Sequence, residues 1–185
     1  VYKRQVQSGA ILSNIKKLAF NNGRLFPLSL ASEGSCQIGG NLATNAGGLN
    51  VIKYGNVRDL CLGLEAVLPC GQIVSTMKPL KKNNMGFDLK NLLIGSEGTL
   101  GIITSTILKT FPIPKDPISV FLSINDLADV LFVFEKISRE FSERILAFEL
   151  IKMTGIDFIE ETGFTIKNPF NKKTNWKVLI EIDVN

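Results

Sequence analysis

Histidine is absent from the 185 residues. A Ser-His-Asp triad, an HExxH zinc site and a histidine general base are therefore excluded within this stretch. Cysteine is scarce. Cys36, Cys61 and Cys70 show no CxxC spacing, which argues against a disulfide framework and fits reduced thiols in a cytoplasmic compartment. No apolar run exceeds strand length, so no transmembrane helix is predicted, and no signal peptide is visible. Acidic residues are missing from Val1 to Leu30, where Lys3, Arg4, Lys16, Lys17 and Arg24 stand unopposed. That run lacks the density and interleaved aromatics of a nucleic-acid arm, so nucleic acid is not an expected partner. Solvated helix and strand-end charges account for it, and an attraction for an anionic ligand stays open. The net charge of +4 is modest, and there is neither an internal repeat nor a low-complexity segment.

What is present suits a packed core, with 45% hydrophobic residues. The chain opens on Val1 rather than Met and ends at Val184-Asn185 beside a strand-like run. It reads as a piece cut through structure.

The densest feature is the small-residue stretch Gly34 to Gly48, in which Gly39-Gly40 and Gly47-Gly48 bracket Asn41-Leu42-Ala43-Thr44-Asn45-Ala46. Glycine lets the backbone approach a ligand closely, and free N–H groups suit an anion or a flat ring. A second such run is Gly95-Ser96-Glu97-Gly98-Thr99-Leu100-Gly101. Neither contains the GxxxxGK[ST] of a P-loop or the GxGxxG of a Rossmann turn. A flavin-type site built from two separated loops remains, beside the plain reading of each as a tight structural turn. Thr44 to Gly48 would offer a donor-rich turn for a pyrophosphate.

Around these runs the spacing predicts a strand end to Val6, a helix over 11–21 closed by Asn22-Gly23, and an extended segment over 25–28. One or two helical turns fit within 38–45. Residues 49–54 read as short and extended, turned by Gly55-Asn56. Leu60 to Leu68 reads as a strand covered on both faces, followed by a Pro69-Cys70-Gly71 hairpin and a return strand over 72–75. Lys78 to Asn84 reads as a polar loop, Asp88 as the cap of a short helix to Leu93, and Ile102 to Leu108 as a strand. Pro112, Pro114 and Pro117 mark a domain boundary. Beyond them come strands over 119–124, 145–150 and 177–183. Helices fall over 127–141 and 156–161, with Leu127, Val130, Leu131, Phe134 and Ile137 on one side of the longer one. That order predicts an α+β domain with helices on one face of a sheet.

The stretch Phe26-Pro27-Leu28-Ser29-Leu30-Ala31-Ser32-Glu33-Gly34-Ser35 and its continuation to Gly48 resemble the FAD-binding PCMH-type domain of the vanillyl-alcohol-oxidase flavoprotein superfamily. So do Tyr54-Gly55-Asn56-Val57-Arg58-Asp59-Leu60 and Gly95 to Thr104. Leu80 to Lys90 and Leu146-Ala147-Phe148-Glu149-Leu150 make the D-2-hydroxyglutarate dehydrogenase branch the nearest in pattern, with glycolate oxidase subunits and D-lactate dehydrogenases close to it.

The resemblance implies an α+β fold. Residues 1–114 would be the later part of the FAD-binding domain, and 115–185 the start of an antiparallel-sheet-plus-helix cap domain that selects substrate. The family's first FAD loop would lie upstream, so the piece alone should bind FAD poorly. Pro27, Ser29 and Ser35 would run along the cofactor. Gly39, Gly40, Thr44, Asn45, Ala46 and Gly48 would line the pyrophosphate and flavin. Glu97, Gly98, Gly101 and Ile103 would meet the adenine-ribose end through backbone groups.

The implied reaction is oxidation of a D-2-hydroxy acid to the 2-oxo acid, with hydride passing to flavin N5 and an electron-transfer flavoprotein or quinone as acceptor. Other family activities, or a flavin-binding redox subunit without chemistry of its own, are the alternatives. The family's carboxylate-binding Arg and Lys, its metal-binding His pair and its catalytic His would lie later, so no catalytic or metal residue is assigned here. Histidyl attachment of flavin within these residues is excluded; attachment upstream stays open.

Plainer readings stand beside these. Gly39-Gly40 suits close packing, Glu97 a solvated loop, Thr104 a strand, Arg58-Asp59 a local ion pair or turn, and Cys36 a buried thiol. Cys70, Asn83, Met85 and Phe87 depart from the usual pattern at a hairpin and a loop, which leaves flavin binding intact.

Overall fold

The computed structural model describes residues 3–77, 86–163, 169–170 and 174–185. The loop expected at Lys78 to Asn84, the first residues of the opening strand, and the Asn83 and Met85 departures lie outside them. The chain divides into two compact units, Val1–Ile113 and Pro114–Asn185, each with its own core.

In the first unit, β1 (Lys3–Gln7), β2 (Cys61–Val67), β3 (Ile73–Ser75) and β4 (Ile102–Lys109) form one sheet in the order β1-β4-β2-β3. Every pairing is antiparallel. β4 is rich in β-branched residues, and its buried Ile103, Thr106, Ile107 and Leu108 hold it at the centre. β2 pairs on both edges, which explains its nearly unbroken apolar run. The hairpin to β3 turns through Gly71 at φ +81°, with Leu68 N donating to Gln72 O at 2.9 Å.

Helix α1 (Leu12–Phe20) buries Leu12, Ile15 and Ala19 and turns Lys17 outward. Lys16 pairs with Glu33. Leu18, expected on the apolar side, is exposed. The core gathers these side chains with Phe26, Ile38, Leu42, Val57, Leu60, Leu64 and Leu93. Burying each of the larger ones stabilises by about 1.5–3 kcal/mol.

Residues 49–54, expected to be extended, instead hold a helical turn, α3 (Val51–Tyr54). Asn50 Nδ2 donates to Pro27 O at 2.9 Å and fixes the entry. Gly55, at φ +77°, ends the turn. These local anchors override the strand preference of Val51 and Ile52. A further turn, α4 (Val57–Leu60), takes the residue that the sequence pattern gives to the start of β2. Its capping box uses Asn56 and Asp59. α5 (Leu89–Leu93) starts as expected at Asp88, whose Oδ1 accepts from Asn91 N at 3.2 Å.

The second unit is a three-stranded antiparallel sheet of β5 (Pro117–Ile124), β6 (Ile145–Lys152) and β7 (Trp176–Asp183), ordered β5-β7-β6. α6 (Leu127–Phe141) packs on it, and α7 (Met153–Glu161) follows β6. The buried face of α6 is rotated from the expected one. Val130, Val133, Ile137 and Phe141 face the core, whereas Leu127 and Leu131 are exposed. Lys177 on β7 is fully buried. Its ammonium donates to Ser123 Oγ at 2.7 Å and Thr174 Oγ1 at 2.8 Å and lies 4.4 Å from the Phe170 ring centre. No helix is long and apolar enough to cross a membrane among the described residues.

Candidate functional site: two glycine runs joined at one helix end

The first run folds into α2 (Ile38–Ala43) and the turn after it. Gln37 makes no side-chain cap. The opening N–H groups are satisfied by the turn after β1, with Ile38 N donating to Ala10 O at 3.0 Å and Gly39 N to Ser8 O at 2.9 Å. This docking explains Gly39, because a Cβ there would stand 2.5 Å from Ser8 Cβ. Gly40 is different. It is exposed, and a Cβ there would meet nothing within 4 Å. The packing explanation therefore holds for one glycine of the pair and fails for the other.

The turn after α2 is less donor-rich than its sequence suggests. Thr44 N donates to Gly40 O, Asn45 N to Leu42 O and Ala46 N to Asn41 O, at 3.1, 3.1 and 2.8 Å. Three of the five N–H groups are thus used in closing the helix. Those of Gly47 and Gly48 make no hydrogen bond among the described residues. Gly48, at φ +110°, is pressed against Ser29, where a Cβ would overlap the carbonyl oxygen. Leu49 N donates to the same oxygen at 3.3 Å. Pro27 and Ser29 are thereby carried to the end of the first run.

The second run lies directly on the first. Gly95 N donates to Leu42 O at 3.0 Å and Glu97 N to Ala43 O at 2.9 Å, so the closing carbonyls of α2 accept from the opening amides of the later loop. Glu97 takes the left-handed region at φ +52°, as Asn45 does at +49°. Asn tolerates that region well; for Glu it costs about 1 kcal/mol or more. Its carboxylate is exposed and unpaired among the described residues, as the solvated-loop reading expects. Gly98, at φ +81°, has nothing nearer than 3.9 Å along its Cβ direction, and its N–H makes no hydrogen bond among the described residues. Ser96 Oγ is buried beside it without a hydrogen-bond partner among the described residues.

Other candidate residues lie apart from this junction. Ser35 is exposed in the turn before α2, bonded to Ser32. Gly101 is buried where β4 begins, its Cβ direction 2.8 Å from Val67 O. Ile103 turns its side chain into the core and pairs with Ala66. Thr104 is a strand residue, bonded to Glu65 Oε1 at 2.7 Å. Cys36 is half-buried and accepts weakly from Asn41 Nδ2 at 3.5 Å. Burial pushes the Cys61 thiol up in pKa, a rise opposed by its bond with Thr106.

Of the local ion pair or turn expected at Arg58-Asp59, the turn is present as α4 and the ion pair is not. Asp59 caps α4 by accepting from Asn56 N at 2.9 Å, while the Arg58 guanidinium reaches the carbonyls of Asn91 and Ile94. Sequence reasoning missed this reach because the partners lie far along the chain. The nearest signal was the glycine at position 95, beside which that guanidinium sits.

The residues present fit a dinucleotide cofactor. Gly40 and Gly98 leave open surface, the amides of Gly47, Gly48 and Gly98 are unspent among the described residues, and no side chain larger than Thr or Asn stands between the two glycine pairs of the first run except the buried Leu42. Backbone donors stabilise a pyrophosphate without a dedicated cation.

Comparison with known proteins agrees with this geometry. Residues 4–77 match the family described as FAD binding domain. A D-2-hydroxyglutarate–pyruvate transhydrogenase of Saccharomyces cerevisiae is 38% identical over 174 residues, covering 94% of this chain and 35% of that protein. A mitochondrial D-2-hydroxyglutarate dehydrogenase of Bos taurus is 43% identical over 145 residues, covering 78% of this chain and 27% of that protein. The chain thus spans about a third of the length of the curated relatives it matches. Among solved structures, an alkyldihydroxyacetonephosphate synthase superposes with a TM-score of 0.75 at 23% identity, covering 98% of this chain and 35% of that one; that likeness concerns the fold. By sequence, residues 4–77 form an FAD binding domain, and FAD is the cofactor of that domain.

Proposed function

We propose that this chain is the cofactor-holding part of an FAD-linked dehydrogenase that oxidises a D-2-hydroxy acid of the 2-hydroxyglutarate type to its 2-oxo acid. The observation that carries the reading is the direct joining of the two glycine runs at the end of α2, with open surface at Gly40 and Gly98 and unspent amides between them. Relatives named for D-2-hydroxyglutarate chemistry support the substrate class. Gly40, Gly47, Gly48 and Gly98 would hold the pyrophosphate through backbone amides. Pro27 and Ser29 would back that wall, and Gly101 and Ile103 would offer only backbone groups. When bound, FAD supplies at N5 the acceptor for the two electrons and the hydrogen leaving the substrate's α-carbon. The unit from Pro114 onward would open the substrate-selecting domain, and the three free thiols suit a reducing compartment.

The test is to purify the full-length protein containing this chain and record its visible spectrum under anaerobic conditions. A flavin band that bleaches with D-2-hydroxyglutarate but not its L-enantiomer is the expected result. Recolouring by pyruvate or by a one-electron dye would then identify the acceptor class. A protein without flavin would overturn the reading. A flavin that no D-2-hydroxy acid bleaches would make the protein a redox subunit.

A further inference from the structure

Arg58 lies in α4, outside both glycine runs, yet it bonds the first and the segment that leads into the second. Its backbone N–H donates to Asn45 Oδ1 at 3.2 Å, at the left-handed turn that ends α2. Its guanidinium donates to Asn91 O and to Ile94 O, both at 2.7 Å, in the segment that leads into the second run. Gly95 sits between the two. A Cβ there would stand 3.0 Å from the Arg58 Nη2 and 3.4 Å from Asn45 Cβ. No carboxylate shares this cation among the described residues, since Asp59 is committed to the cap of α4.

The backbone bonds from Gly95 and Glu97 tie the second run to the end of α2, and buried Leu93 and Ile94 lead into it. The Arg58 fork adds an anchor upstream of Gly95, at Asn91 and Ile94, while the backbone N–H of the same residue bonds Asn45 on the first run. A planar fork spanning two carbonyls is a geometry that the single ammonium of lysine does not reproduce.

We propose that Arg58 is a positioning residue for FAD: it fixes the spacing of the two runs across which the cofactor would lie. This rests on the FAD reading above. The test compares Arg58→Gln, Arg58→Lys and a control, Arg24→Gln, in the full-length protein stripped of flavin. Arg24 is a matched clamp elsewhere in the same unit, donating to Thr110 O at 2.7 Å and Thr110 Oγ1 at 3.3 Å. FAD is titrated by quenching of its fluorescence, the bound flavin is read by visible circular dichroism, and the apoprotein by its unfolding midpoint.

Both Arg58 variants are expected to weaken FAD binding about tenfold or more and to change the flavin dichroism. The Arg24 variant should lower the midpoint comparably while leaving FAD affinity within about twofold. Should Arg58→Gln fail to fold, Arg58→Lys decides. Full affinity in Arg58→Lys would overturn the proposal, since charge would then suffice, as would wild-type affinity in Arg58→Gln. A wild type that takes up no FAD would overturn the FAD reading and this inference together, which separates that failure from the others.

Discussion

Gly39 and Gly40 are neighbours on one short helix, and they answer to different demands. Gly39 is required by Ser8, into which its Cβ would run, whereas Gly40 faces open space. Alanine should therefore act with opposite sign at the two positions. Gly39→Ala is expected to cost about 1–3 kcal/mol through overpacking. Gly40→Ala is expected to stabilise the apoprotein by about 0.5–1 kcal/mol through helix propensity while weakening FAD binding. Chemical denaturation with and without FAD separates the two effects; a Gly40→Ala protein that binds FAD normally would remove Gly40 from the site. The thiols divide in a similar way. Cys70 is exposed and should react with a thiol reagent in the native protein, whereas Cys61, buried and raised in pKa, should react only on unfolding. A folded thiol that keeps its proton after the unfolded one has ionised makes stability fall as pH rises past about 8.5. Cys61→Ala should flatten that alkaline decline, read as the urea midpoint against pH.

Several elements were legible from composition and spacing, and their causes explain why. β4 is a β-branched run, α6 carries an amphipathic repeat, and the hairpin to β3 is marked by Pro-Cys-Gly. The two short turns α3 and α4 were not legible as helices. Each spans four residues with strand-like side chains, and each is imposed by its ends: Asn50 and Gly55 for one, Asn56 and Asp59 for the other. The site divides along the same line. The two glycine runs could be read directly, but not that three of the five amides from Thr44 to Gly48 are used in closing α2, nor that Arg58 binds the distant carbonyls of Asn91 and Ile94. Tertiary hydrogen bonds leave no periodic trace. The capping box of α4 can be tested directly: Asn56→Ala should cost about 1 kcal/mol in urea denaturation. An unchanged midpoint would mean that α4 is held by its tertiary contacts alone.

Two units with separate cores, each built on an antiparallel sheet, make up the described chain. Without histidine, no side chain of ordinary pKa titrates between about pH 5.5 and 7.5, so the urea midpoint is expected to stay flat across that window. A slope there would require a carboxylate or thiol displaced far into it. The chain's single tryptophan, Trp176, opens β7 in the second unit, while Tyr54 packs edge-on against Phe111 in the first, ring centres 4.7 Å apart. The molecule is thereby optically partitioned. Light absorbed at the red edge of the protein band excites Trp176 in the second unit, and the half that carries the glycine runs has no tryptophan of its own.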